Sequence, residues 1–329
     1  MNKIKDSSLI PNAPFIENVK HKDQSIRPSS ASLFDLDSLT KKTAKPVSII
    51  PKKGNLKASS KYKYRDLLIT VQGTSLEFDT TTSKVNNMIL IKYWQSHDPK
   101  ICITLPEYMQ LTDTKKSSAS MQLAKAANNL SGLTISRSNL SQLSQQQRKY
   151  EPFVEAITLY PTISYYRGKF TVRINDDFAA ALDRARPMLF PLSAYKLNDT
   201  AYNLLDALYY YKQVNYHNSL SRQNKFKLGT LLERCSNLPS WESVKNGNRN
   251  YYARIVKPLK KALEELKNEI EYIFIDNEEK VQQGIDNLPL DSFRESYIVI
   301  TKWKKLGAEQ LKALKTRKDK GKKRKKKTS

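Results

Sequence analysis

The chain has 329 residues, 39% of them hydrophobic, and sets 57 Lys and Arg against 32 Asp and Glu, for a formal net charge of +25. At roughly 100–200 residues per domain this length implies two domains plus tails. The charge implies a polyanionic partner, and nucleic acid stands before a membrane surface because no basic stretch carries an apolar helical face with Trp or Phe.

Residues 1–60 hold 11 basic and 5 acidic residues, five prolines and only two aromatics, Phe15 and Phe34. Such a segment buries too little apolar area to offset its ordering entropy and is expected to be disordered. From Tyr62 the stretches DLLITV and NNMILIKYW have the apolar density of a packed domain, the second readable as a helix or as a buried strand. Ile101–Leu105 reads as a short strand. Thr104 followed three residues later by Glu107, with Pro106 between them, is a capping box that starts a short helix. In SSASMQLAKAANNLSGL, Met121, Leu123, Ala124, Ala127 and Leu130 fall near helical spacing, with Gly132 as a stop, so two helices a few residues apart form a helix-turn-helix candidate. LTIS (133–136) reads as a strand, 137–152 as a polar loop that could serve as a wing, and AITLYPTISYYRGKFTVRI as strands around a Tyr-Arg-Gly-Lys turn.

A second unit begins after RPMLFPLSAYKLND. Asp199 or Thr200 is placed to cap AYNLLDALYYYKQ, whose Leu204, Leu208 and Tyr211 share a face. FKLGTLLERCSNLP reads as a second short helix, SWESVKNGN as a linker, and Arg249–Glu269 as a long third helix with Tyr252, Ile255, Leu259, Ala262, Leu266 and Ile270 inward. IEYIFID and ESYIVITKW supply two strands. The repeat of helices followed by strands is architectural, since the letters do not repeat. The fold class expected is α+β: two tandem winged-helix domains over 61–185 and 186–305, a disordered basic segment at 1–60 and a Lys-rich tail at 306–329. Residues 302–329 alone carry a net +12, and residues 61–301 keep +7, so the folded part is basic in its own right.

A DNA-reading helix needs one packed face and one face offering donors to phosphates and base edges. In the third helix of the second unit Asn250, Arg254, Lys257 and Lys261 lie opposite the apolar stripe, with Arg249 and Lys260 on its borders. Arg suits guanine, Asn suits adenine and Lys anchors phosphates. Glu264, Glu265, Glu269 and Glu271 gather in the C-terminal half and leave the N-terminal half purely basic. Pro258 predicts a kink or local irregularity. In the first unit Lys116, Ser118, Gln122 and Lys125, with Lys115, Ser117 and Ser120, surround the start of the candidate recognition helix, although plain capping by Ser117 or Ser118 accounts for them equally well. Arg137, Gln145, Gln146, Gln147, Arg148 and Lys149 suit a wing or a solvated loop.

Enzymatic readings fare poorly. His21, His97 and His217 do not form the His-x-His pair of nicking enzymes, no GxxxxGK[ST] loop occurs, and no carboxylates pair at a spacing that suits two-metal chemistry. No catalytic residue, metal or cofactor is expected. Cys102 and Cys235, the only cysteines, lie far apart and suggest neither a disulfide framework nor a Cys-type zinc site. With no signal-peptide stretch at the N-terminus and no run of about 18 apolar residues, a soluble cytoplasmic protein associated with DNA is expected.

Several stretches, ITLPEYMQLTDTKKSSASMQLAKAANNL, YYRGKFTVRINDDFAAAL, AYNLLDALYYYKQ and ARIVKPLKKALEELKN, resemble the plasmid replication initiators that carry two tandem winged helices and bind iterons. The resemblance spans about 62–301. It implies a bacterial protein that binds direct repeats in double-stranded DNA through both domains, equilibrates between homodimer and monomer, recruits the host initiator and helicase, and represses its own gene. Carried over by position, Arg249, Asn250, Arg254, Lys257 and Lys261 read one part of the repeat, and Ser118, Gln122 and Lys125 another. The long Gln-rich loop at 137–152 and the 60-residue N-terminal segment depart from the family pattern. The alternatives are a winged-helix transcriptional regulator or phage replication-region protein without initiator activity, and a structural nucleoid or RNA-associated protein that works by charge alone.

Overall fold

The computed structural model describes residues 24–29, 48–50, 58–64, 67–73, 78–139, 154–184, 186–214, 224–241, 243–244, 250–282, 284–286 and 288–304. In chain order, β1 (Gln24–Ser29), β2 (Ser48–Ile50), β3 (Ala58–Tyr64) and β4 (Leu67–Gly73) precede α1 (Thr80–Ser96). Next come β5 (Lys100–Thr104), α2 (Leu105–Thr112), α3 (Lys116–Leu130), β6 (Thr134–Asn139), β7 (Val154–Thr158), β8 (Thr162–Tyr166), β9 (Lys169–Arg173) and α4 (Asp176–Arg184). β10 (Arg186–Pro191) and a 3-10 turn (Leu192–Lys196) lead into α5 (Asp199–Val214), β11 (Lys225–Lys227) and α6 (Leu228–Glu233). A π-helical turn (Tyr252–Val256) runs straight into α7 (Lys257–Glu265), then β12 (Ile270–Ile275), β13 (Val281–Gln282), α8 (Leu290–Glu295) and β14 (Tyr297–Trp303). The architecture is α+β.

The stretch NNMILIKYW is helical. Asp79 Oδ1 accepts from the Thr82 N–H at 2.7 Å and caps α1, and the helix is apolar on more than one side because it is central: Val85, Met88, Ile89 and Ile91 are fully buried. Its two buried lysines both have partners. Lys92 pairs with Glu107 at 2.6 Å, and Lys84 donates to the carbonyls of Tyr195 and Leu197 at 3.1 and 2.9 Å. The capping box of α2 forms as the sequence predicts, with the Thr104 hydroxyl accepting from the Glu107 N–H at 3.4 Å and Glu107 accepting from the Thr104 N–H at 3.2 Å.

Asp113, in the left-handed region at φ 54°, turns α2 into α3 and completes the helix-turn-helix. The inward face of α3 differs from the face the sequence suggested: Ala119, Leu123, Ala126 and Leu130 are buried, whereas Met121 is 67% exposed and Ala124 is exposed. Small alanines at strict three- and four-residue spacing let α3 approach α1 closely, and that requirement outweighs the greater hydrophobicity of methionine.

Two units share one topology. In the first, the strand order is β5-β9-β8 behind α1, α2 and α3; in the second it is β11-β14-β12 behind α5, α6 and α7, with β13 added at the far edge. Each therefore runs helix, strand, helix, helix, and then a strand hairpin, the order of a winged helix. One hydrogen bond recurs at the same place in both. The first residue of the second helix donates to the carbonyl just before the last strand: Leu105 N–H to Gly168 O at 2.7 Å, and Leu228 N–H to Ser296 O at 2.9 Å.

The β8–β9 hairpin stands where the wing of the first unit belongs. Arg167 and Gly168 both take positive φ, 48° and 73°, as a two-residue hairpin turn requires. The strand expected at 133–136 lies in a different sheet, the antiparallel β2-β3-β4-β6-β7, because β6 is in register with the whole of Leu67–Gln72 on one side and with β7 on the other. Most of 137–152 lies outside the described residues, as does 305–329. Within 1–60, Gln24–Ser29, Ser48–Ile50 and 58–60 lie in strands, and the other residues fall outside those described. β1 finds its strand partner far away in the sequence, in β10, and β2 pairs with the neighbouring β3, sources of hydrogen bonds that composition does not register.

In the second unit α5 is capped by Asn198, whose Oδ1 accepts from the Ala201 N–H at 3.0 Å, not by Asp199 or Thr200. The expected linker after α6 is partly packed: Trp241 is buried and its indole donates to Gly229 O at 3.1 Å. The third helix ends at Glu265 with a 3-10 turn over Leu266–Asn268, shorter than the Arg249–Glu269 expected, and Glu269 is buried with Oε1 accepting from the Ser193 hydroxyl at 2.8 Å. The units dock through α1 and α5. There Asn87 Nδ2 donates to the Tyr202 hydroxyl at 2.6 Å and Asn203 Nδ2 to Thr80 Oγ1 at 3.0 Å, so buried polar pairs stitch a seam within one continuous apolar core.

Candidate nucleic-acid interface

The irregularity predicted at Pro258 is present one turn upstream. Proline has no N–H to give to the carbonyl four residues back, and the backbone answers with a π-helical turn over Tyr252–Val256, in which the Lys257 N–H donates to Tyr252 O, five residues back. Asn250 is exposed and accepts through Oδ1 from the Ala253 N–H at 3.1 Å, so it secures the start of this helical run. Inward, Ile255, Val256, Leu259, Ala262 and Leu263 are buried; outward, Lys257 and Lys261 are exposed, and Arg254 is half-buried on the same side.

Lys257 and Lys261 line an open groove together with Ala253 and Pro258 on one wall and Asn198, Asp199 and Thr200, the start of α5, on the other. Glu265 holds the two walls in place, accepting from the Asn198 N–H at 3.2 Å and from its side-chain amide. The groove thus presents two ammonium groups beside the N-terminus of α5, a combination suited to phosphate. Asp199 is the acid among these lining residues.

Lys260 occupies a different electrostatic position. Its Nζ donates to both carboxylate oxygens of Asp286 at 2.8 Å, and this hydrogen bonding raises the ammonium above its ordinary pKa. The Tyr251 hydroxyl donates to Leu288 O, so the segment between β13 and α8 straps one flank of the helix. Arg249 lies outside the described residues.

In the first unit Lys116 is exposed and lines a second open surface with Leu105, Pro106, Met109, Gln110, Asp113 and Thr114. α3 begins at Lys116 with no side-chain cap, so neither Ser117 nor Ser118 caps it. Ser118 and Gln122 are half-buried, and Gln122 Oε1 accepts from the Tyr108 hydroxyl at 2.8 Å. Lys125 is exposed but pairs with Asp79 at 2.5 Å. Burial opposes ionisation of Asp79, yet Lys125 and the Thr82 amide hold its carboxyl below the usual range, and the same contact raises Lys125. The nine nominated residues that are described therefore divide between two separate helices and their first turns. Lys116, Lys257 and Lys261 stand on open surfaces, Lys125 and Lys260 are matched by carboxylates, and Ser118 and Gln122 are partly withdrawn.

No family model and no curated protein matches the chain. Among solved structures it is similar to the Pi initiator protein in complex with iteron DNA, with 13% identity, a TM-score of 0.38 and coverage of 67% of this chain and 89% of that one. It is also similar to domains 2–3 of RctB, with 12% identity, a TM-score of 0.45 and coverage of 80% and 95%.

Three features of the surface escaped the sequence reading. Met121 faces outward from the middle of α3. The tip of the β8–β9 hairpin carries Tyr166, 67% exposed, with the Arg167 guanidinium 5.1 Å from its ring centroid. Asp79 and Asp286 neutralise nominated lysines, and nothing local in the sequence announces the second pairing, because 26 residues separate Lys260 from Asp286.

Proposed function

We propose that this chain is a sequence-specific binder of double-stranded DNA that acts as a plasmid-type replication initiator, engaging direct repeats with both winged-helix units. The observation that carries the DNA reading is the outward face of the third helix of the second unit. Arg254, Lys257 and Lys261 share that face, and two of them line an open groove against a helix N-terminus. A basic excess outside the termini supports it, since residues 61–301 keep a net +7.

The initiator role rests on the stretches of sequence resemblance spanning both units. In this reading Arg254 contacts base edges, Lys257 and Lys261 hold phosphates, and Lys116 anchors the first unit. Recruitment of the host initiator and helicase, and exchange between dimer and monomer, belong to the same proposal.

The test is binding to the DNA that flanks the gene. Tight binding to tandem repeats of about 20 base pairs, matching a footprint of about two major grooves, supports initiator function; an isolated palindrome as the preferred site favours a regulator. Arg254→Ala weakens cognate binding by about 1–3 kcal/mol and random-sequence binding much less. Equal losses on both substrates contradict a base-reading role.

A further inference from the structure

The polar side chains that the sequence offers on α3 are largely engaged inside the protein. Ser120 Oγ accepts from the Tyr165 hydroxyl at 2.8 Å, Gln122 from Tyr108 at 2.8 Å, Asn129 donates to Thr82 at 2.9 Å, and Lys125 pairs with Asp79 at 2.5 Å. These contacts dock α3 onto β8, α2 and α1. What remains outward is Ser117, Met121, Ala124 and Asn128, all exposed, on a helix that contains no acidic residue. Met121, 67% exposed, sits at the middle of that face. A single exposed apolar side chain is ordinary on a protein surface. One centred on the outward face of the second helix of a helix-turn-helix, in a strongly cationic chain, lies where a major groove would be read.

The apolar group displayed in the major groove is the C5-methyl of thymine. We propose that α3 selects thymines through Met121 and Ala124, whose side chains meet the methyl groups of neighbouring A·T pairs, with Ser117 and Asn128 flanking them, and that Ser118 and Gln122 position the helix instead of reading bases. The spacing suits this assignment. Residues 121 and 124 are separated by about 4.5 Å along the helix axis, a little more than one base step of about 3.4 Å, and the flexible thioether adapts to the difference. The inference rests on the DNA-binding function proposed above.

The full-length chain is used to select sites from a randomised duplex pool of natural bases. The selected duplex is then remade with deoxyuridine at each thymidine in turn, which deletes one methyl and nothing else. The wild-type protein loses about fourfold in affinity at each of two neighbouring positions, the factor that corresponds to ~0.8 kcal/mol per methyl-sized group. Met121→Ala shows a comparable loss on thymine DNA and no further loss on uracil DNA at one of them, and Met121→Leu restores the discrimination. A wild-type protein indifferent to uracil throughout its selected site overturns the inference, and so does Met121→Ala retaining the full uracil penalty. A change in oligomeric state on Met121→Ala with the penalty intact assigns the face to a protein contact and overturns it as well. If no site emerges from the selection, the DNA-binding function itself falls, an outcome distinct from the other three.

Discussion

Lys257, Lys260 and Lys261 lie within five residues on one helix, yet their surroundings predict unequal contributions to DNA binding. Lys257 and Lys261 border the open groove, whereas Lys260 donates to both carboxylate oxygens of Asp286 at 2.8 Å. Each phosphate neutralised by a protein cation changes the slope of log Kobs against log salt by about 0.9, which amounts to about a 3.5-fold difference in affinity between 50 and 200 mM salt. Lys257→Ala and Lys261→Ala are each expected to flatten the slope by about 0.9. Lys260→Ala is expected to change it by distinctly less, because its charge is already matched within the chain. The reciprocal variant is the sharper one. Asp286→Asn keeps the side-chain shape, removes the compensating charge and frees Lys260, so the slope steepens by up to about 0.9 and low-salt affinity rises. Fluorescence anisotropy titrations of a fixed duplex across 50–300 mM salt measure all four. Equal flattening by the three lysine variants together with no effect of Asp286→Asn would refute the reasoning and show that the Asp286 pairing does not persist in the bound state.

Other expectations concern stability. A Cβ on Gly229 would lie 2.9 Å from the main-chain carbonyl of Arg294, a group that cannot rotate aside. Gly229→Ala is therefore expected to destabilise by about 1–2 kcal/mol despite a helix-propensity gain of about 1, read as a lower denaturation midpoint at unchanged slope; a raised midpoint contradicts the close approach. Lys92→Met strands the Glu107 carboxylate in the core and is expected to cost about 3–5 kcal/mol, while Lys92→Met with Glu107→Gln recovers most of the loss; additivity of the two changes in a double-mutant cycle argues against the pair. Burial pushes the Lys212 ammonium down to about 7, against the opposing attraction of the Trp303 ring 4.0 Å away. Because the folded value lies below the unfolded one, the unfolded chain binds more protons between pH 7 and the ordinary lysine range, and stability rises with pH across that window. Lys212→Met is expected to flatten this rise, as followed by thermal unfolding from pH 7 to 10; an unchanged profile excludes Lys212 as its source.

The legible parts of the fold were those written in local chemistry. The capping box at Thr104 and Glu107, the turn at Arg167 and Gly168 and the disturbance ahead of Pro258 each depend on a few adjacent residues, so sequence alone located them. What was not legible depended on partners far away in the chain. β1 is a strand because β10 lies beside it, and β6 leaves the winged unit because β4 offers it six registered partners. On α3 the expected Leu123 and Leu130 are buried and Ala127 packs on the core, whereas Met121 and Ala124 face outward and Ala119 and Ala126 take the inward positions. The cationic residues of the candidate interface were legible as a charge pattern on the third helix of the second unit. Their division into open and compensated lysines was not, since it is decided by Asp79 and Asp286, acids placed by the folded chain and not by helical spacing.

The recurrence of one hydrogen bond in both units, Leu105 to Gly168 and Leu228 to Ser296, bears on how the two candidate recognition helices are held. In each unit this bond fixes the start of the second helix to the last strand, and the second helix in turn aims the third. What differs is the hairpin: two residues in the first unit, and in the second a long connection carrying Asp276, Glu278, Glu279 and Asp286. The short hairpin ends in an exposed tyrosine and an arginine, the long one in acids, one of which grips Lys260. The short hairpin thus adds a positive charge at Arg167, whereas the acids of the long connection are matched by lysines of the same chain, Glu278 by Lys280, Glu279 by Lys225 and Asp286 by Lys260. In the binding mode proposed above, the second unit would take its backbone contacts through the groove at Lys257 and Lys261, and the first through α3 and its hairpin tip.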